Sequence, residues 1–245
     1  MRWLLCIVLL SSGCDLLFPE FSGNGSDAAI PGDGGVDDGG GPPLVAGVVC
    51  VLGDVRDYRT CTTAAQGVLR ISVEETRDQT TTDAAGHFTL KLSQKLDIAT
   101  IGVVDPANNF APTVVPLRLT AGVASGVALP VVTQATLQTL ELDNGLQADP
   151  GLGIFLGWAV DATGAPVAGV SSGNHAALYD DNAPNALSPG TATHNDGTVA
   201  FFNVPPTTLS LTLTPPPTVP VSGDVFTLPI RPGAVTASTL VLPPR

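Results

Sequence analysis

Thr82-Asp83-Ala84-Ala85-Gly86-His87-Phe88 is the stretch from which the fold is read. Asp83 can accept hydrogen bonds from the backbone N–H groups just after it. Gly86 can take a positive φ, and Phe88 turns inward as the next strand starts. That is a hairpin. Outward from it lie short apolar and β-branched runs at Leu44–Val51, Val68–Val73, Gln79–Thr82, His87–Leu92, Ile98–Val104, Thr113–Leu119 and Val127–Val132. Such runs at regular spacing, with turn residues between them, predict a β-sandwich over residues 44–132.

The pattern returns further along. Thr193-His194-Asn195-Asp196-Gly197-Thr198-Val199 parallels the turn at Thr82 to Phe88. Before it, Gly157 to Val170 reads as a strand, an Asp-x-x-Gly turn at Asp161, and then Pro166-Val167-Ala168-Gly169-Val170. Phe201 to Pro206 follows, and Val225–Ile230 and Val235–Leu242 supply closing strands. A second sandwich is therefore expected over 152–245. Pro215, Pro216 and Pro217 lack the N–H a ladder needs, which puts them in a loop or along an edge. Between the sandwiches, 133–151 reads as a connector. Thr133 can cap a short helix carrying Leu137, Leu140 and Leu142, ended by Asn144-Gly145. Asp149-Pro150-Gly151 then breaks the chain, so the two modules are expected to fold separately.

The turn at Thr82 to Phe88 after the Gly67 to Val73 run, together with the hairpin at Gly157 to Val170, resembles carboxypeptidase regulatory-like domains. These are small transthyretin-like sandwiches appended to exported proteins. The segment Cys50 to Cys61 is similar to stretches of myxobacterial lipoproteins. The resemblance implies two tandem all-β, transthyretin-like or Ig-like sandwiches. Its motifs specify a fold rather than a ligand, and it implies no catalytic residues.

The N-terminus carries an address. Arg2 precedes an apolar run from Trp3 to Leu10, and Ser11-Ser12-Gly13-Cys14 follows. Residues 1–13 read as a signal peptide, too short to span a bilayer. The ending resembles a bacterial lipobox, which makes Cys14 the lipidated N-terminus after cleavage, although Ser11 stands where the lipobox usually has Leu. An ordinary secretory signal with an incidental Cys is the alternative. Residues 14–43 include the acidic, Gly-rich stretch from Ser22 to Pro43, which lacks the apolar groups to offset the entropy of folding. They read as a disordered tether, and about 20 such residues reach roughly 25 Å. Asp33, Asp37 and Asp38 offer no loop of the six to eight oxygens that calcium takes. The expected place is the bacterial outer membrane or cell surface.

The chain has a net charge of −12, with 13% charged and 44% hydrophobic residues. Phosphate backbones repel such a chain, so nucleic acid is not an expected partner. Anionic lipid repels it too, so membrane attachment requires the covalent anchor. Gly169-Val170-Ser171-Ser172-Gly173 matches Gly-x-Ser-x-Gly, but a nucleophile elbow needs a helix after the Ser. His87, His175 and His194 have no zinc-ligand spacing. Asp180-Asp181-Asn182 beside Tyr179 could bind a cation, but a solvated loop is the preferred reading. Trp158 shares a strand face with Ile154, Leu156 and Val160, which points to the core. Of the four Cys, Cys6 leaves with the signal peptide and Cys14 is taken by lipid. Cys50 and Cys61 then form a disulfide in an oxidising compartment. No cofactor and no catalytic residue is expected. The expected role is a non-catalytic envelope lipoprotein that contacts another envelope protein, with carbohydrate binding as the alternative.

Overall fold

The computed structural model describes residues 43–120, 122–173, 177–181 and 183–245. Cys14, the signal peptide, the tether before Pro43, His175 and Asn182 lie outside them.

In the first half, β1 (Leu44–Val51) runs between β8 (Val123–Val131), parallel to it, and β5 (His87–Lys91), antiparallel. A short β2 (Thr63–Ala64) continues the β5 side opposite Cys50 and Val51. Gly47 has no substitute here: a Cβ would lie 1.9 Å from the Val127 carbonyl oxygen, where the β1–β8 register shifts. The facing strands are β4 (Gln79–Thr81), β3 (Arg70–Val73), β6 (Ile98–Val104) and β7 (Thr113–Arg118). Alternation aims Ile71, Val73, Ala99, Ile101, Val103, Val115 and Leu117 at β1 and its neighbours.

α1 (Gln134–Asp143) follows, with the Thr133 hydroxyl accepting from the Thr136 N–H at 3.0 Å. Leu137 and Leu140 are buried, whereas Leu142 is 80% exposed and is no part of the packed face. The second half is built from β12 (Leu187–Pro189), β11 (Leu178–Asp180), β13 (Thr198–Val204), β9 (Gly153–Val160) and β16 (Val235–Val241). Facing them is a three-stranded sheet of β10 (Ser171–Ser172), β14 (Thr208–Thr214) and β15 (Asp224–Pro229). Pro215 to Pro217 lie in the loop after β14.

The described residues are thus all-β apart from α1 and a 3-10 turn, and they form two sandwiches. They are not separate bodies. β16 pairs with β9 along its length and with β7 at Val235↔Thr113 and Thr236↔Val114. One nine-stranded sheet therefore runs through both halves. Its two faces are covered in different places. Phe155 and Ala159 of β9 face the core under β10, β14 and β15. Leu156, Trp158 and Val160 on the opposite face join the core of the first half. The reason is visible in β9 itself, GIFLGWAV, which is apolar on both faces and so suits the middle of a three-layer stack.

Candidate functional site: the disulfide-pinned loop

Cys50 and Cys61 are joined by a disulfide with their Cα atoms 5.2 Å apart. Cys50 ends the buried stretch of β1, and Cys61 closes the 3-10 turn Tyr58–Thr60. The loop between them is held at its base by Thr60. Its hydroxyl donates to the backbone carbonyls of Asp54 (3.0 Å) and Asp57 (2.7 Å) and accepts from the Asp54 N–H at 2.9 Å. Asp57 caps the turn through Arg59.

The loop lies on the second sandwich. The Trp158 indole N–H donates to the Val55 carbonyl at 3.0 Å, and the Tyr58 hydroxyl donates to the Gly164 carbonyl at 2.8 Å. The two rings lie 6.1 Å apart at a tilt of 52°. Asn185 accepts from the Val55 N–H through its side-chain oxygen at 2.9 Å, while its own N–H donates to the Asp54 carboxylate at 3.1 Å. The Thr198 hydroxyl donates to the Arg56 carbonyl, and the Arg56 guanidinium donates to the Asp181 carbonyl. Buried donors and acceptors left without such partners would each cost about 1–3 kcal/mol.

The charges follow the same contacts. Arg56 is paired with Asp54 at 2.7 Å and with Asp196 at 3.8 Å, and Arg59 lies 2.6 Å from Asp57. Burial pushes the Asp54 carboxyl up, but the Arg56 guanidinium and the N–H groups of Arg56 and Asn185 outweigh it and hold it below its ordinary value. Asp196 moves the other way. Burial raises it, the nearby Asp180, Asp57 and Asp54 add to that, and Arg56 only partly offsets them.

A second device repeats in both halves. Thr82 donates to the Gly67 carbonyl and accepts from the Leu69 N–H. Thr193 donates to the Val167 carbonyl and accepts from the Val170 N–H. In the first hairpin, Asp83 accepts from the N–H groups of Ala85 and His87, both at 2.9 Å. In the second, His194 stands where Asp83 would. The missing carboxylate comes from Asp180 on β11, which accepts from His194, Asp196 and Thr198. Asp180 is 1% exposed, and the solvated-loop reading of it is corrected by this burial. Gly86 and Gly197 take φ of 78° and 70°, as these turns require.

The other residues singled out from sequence do not converge. The Ser171 hydroxyl donates to the Thr214 carbonyl at 3.3 Å from a two-residue strand with no helix after it. His87 is exposed beside Asp83, and His194 is exposed. Among the described residues no three His, Cys, Asp or Glu are grouped to hold a metal, and no helix is long and apolar enough to cross a membrane. Sequence reasoning missed Arg56 and Asn185, whose partners in the other half lie more than 120 positions away, and misread Asp180.

No protein-family model matches the chain, and neither does any curated protein. Among solved structures it is similar to the Bacillus anthracis TIE protein at 13% identity and a TM-score of 0.28, over 83% of this chain. The chain spans about a third of that protein (34%). It is similar to the shaft pilin SpaA from Lactobacillus rhamnosus GG at 13% identity and a TM-score of 0.28, over 84% of this chain and 98% of that one. The minor pilin GBS52 of Streptococcus agalactiae gives 13% identity and a TM-score of 0.25, over 82% and 96%. At such scores these likenesses carry no argument about fold or function.

Proposed function

We propose that this chain is a non-catalytic envelope lipoprotein, anchored through Cys14, whose two carboxypeptidase regulatory-like sandwiches form one stiff module for contact with another envelope protein. The observation that supports this best is the use made of the polar groups in the loop from Cys50 to Cys61. Their partners are groups of the second sandwich, which suits holding a shape rather than turning over a substrate. The disulfide agrees with export to an oxidising compartment. Every Phe, Tyr and Trp ring among the described residues is buried or half-buried, so none is presented as the platform that carbohydrate binding uses. The exposed large hydrophobics are aliphatic, among them Ile98 and Val104 on the outer face of β6. Cys14→Ser is expected to release the protein from the membrane fraction or to stall its processing. A processed Cys14→Ser protein that stays with membranes would refute the anchor. Crosslinking in intact cells from an Ile98→Cys variant should join the module to a protein, and glycan-only adducts would replace the proposal with the carbohydrate reading.

A further inference from the structure

The nine-stranded sheet forks where the two halves meet. The Val235 N–H donates to the Pro112 carbonyl at 2.8 Å, and the β16–β7 register continues only to Thr236↔Val114. Alternate residues of a strand present their N–H and C=O to the same edge. The next rung would run from the N–H of residue 116 to the Ala237 carbonyl. Residue 116 is proline and has no N–H to give. The ladder stops there, and β7 and β16 part.

The fork opens onto a small, partly open cleft. It is lined by Pro116, Ala237 and Thr239, with Pro130 of β8 and Trp158 of β9 beside them. It leaves about 20 Å³ for the centre of a water molecule, where one water needs about 10–15 Å³ on the same measure. The Thr239 hydroxyl is buried there and is the only buried side-chain polar atom among the described residues without a hydrogen-bond partner. By the same alternation the Ala237 carbonyl and the Thr239 N–H face the fork, past the last rung. A site of this size with two to four polar partners is what a buried water requires.

We propose that the fork is a binding site for one structural water, held by the Thr239 hydroxyl and the backbone groups that Pro116 leaves without a rung. The water takes the place of the missing rung and closes the joint between the two halves. The site is independent of the envelope function proposed above.

The test is a crystal structure of the mature protein at about 1.5 Å or better, with the Thr239→Val variant beside it. One water is expected within about 2.7–3.2 Å of the Thr239 hydroxyl and of a backbone atom of β16 or β7, and lost in the variant. Thermal unfolding gives a second readout. Removing a hydroxyl that has a water partner leaves the melting temperature unchanged or lower. Removing an orphan hydroxyl raises it. An empty fork, a Thr239 hydroxyl bonded to protein, or a Thr239→Val variant that melts higher would each overturn the proposal. Pro116→Ala restores a donor to the ladder and is expected to close the fork and expel the water.

Discussion

Thr82 and Thr193 each tie two backbone groups that no strand partner reaches, and each does so with one hydroxyl. Thr193→Val keeps the shape and strands a buried N–H and C=O. It is expected to cost about 1–3 kcal/mol in urea unfolding, with Thr193→Ser close to wild type. The charged residues predict a pH dependence of opposite signs. Asp54 sits below its ordinary 3.8, so its contribution is present above that pH and lost as the pH falls through the lowered value. Asp54→Asn should therefore be destabilising at pH 7 and converge with wild type in acid. Asp196 sits above 3.8, so its ionisation opposes folding once the pH rises through the raised value. Asp196→Asn should match or exceed wild-type stability at pH 7, and a clear loss there would contradict the assignment. The hairpin at Thr82 was legible because its signals are adjacent. Asp180 was not, because it serves a turn 14 to 18 residues away.

Between elements, the loop from Cys50 to Cys61 has two attachments, one covalent and one to the second sandwich. Cys50→Ser with Cys61→Ser is expected to lower stability by about 3 kcal/mol in the chain-entropy view, measured by denaturant unfolding. Hydrogen exchange should then quicken at Val55 and Asn185 while β5 and β14 keep their protection. Equal loss of protection throughout would mean that the loop is not a separable clamp. The cysteine pair could be read by elimination from composition and compartment. The docking could not, since it joins Trp158 to Val55 across 103 positions and leaves no local pattern. Strand length set a similar limit. β10, β11 and β12 hold two or three residues each, too few for a period to show. β14 alternates cleanly over Thr208–Thr214, yet it sits between proline clusters that read as loop.

For the whole molecule, the architecture of two sandwiches was legible, and their fusion was not. Turn motifs mark where a module recurs, and Asp149-Pro150-Gly151 suggests a break, but the parallel pairing of β16 with both β9 and β7 is a long-range event. The shared core changes what is expected of fragments. Residues 152–245 alone would expose Leu156, Trp158, Leu178 and Val235, which pack against the first half. Such a fragment is expected to aggregate or to lack fixed tertiary structure, checked by sedimentation and near-ultraviolet circular dichroism. A soluble, monomeric, well-packed fragment would show that the second half needs no partner. β1 starts right after Pro43 and is flanked by β8 to its end and by β5 as far as Val48. A pull on the chain at Pro43 along the strand loads the rungs on both sides of β1 at the same time, in shear, rather than peeling them one by one. The point where the chain enters the first sandwich is thus a seam loaded in shear, and the disulfide near the far end of β1 ties that strand to the loop docked on β9.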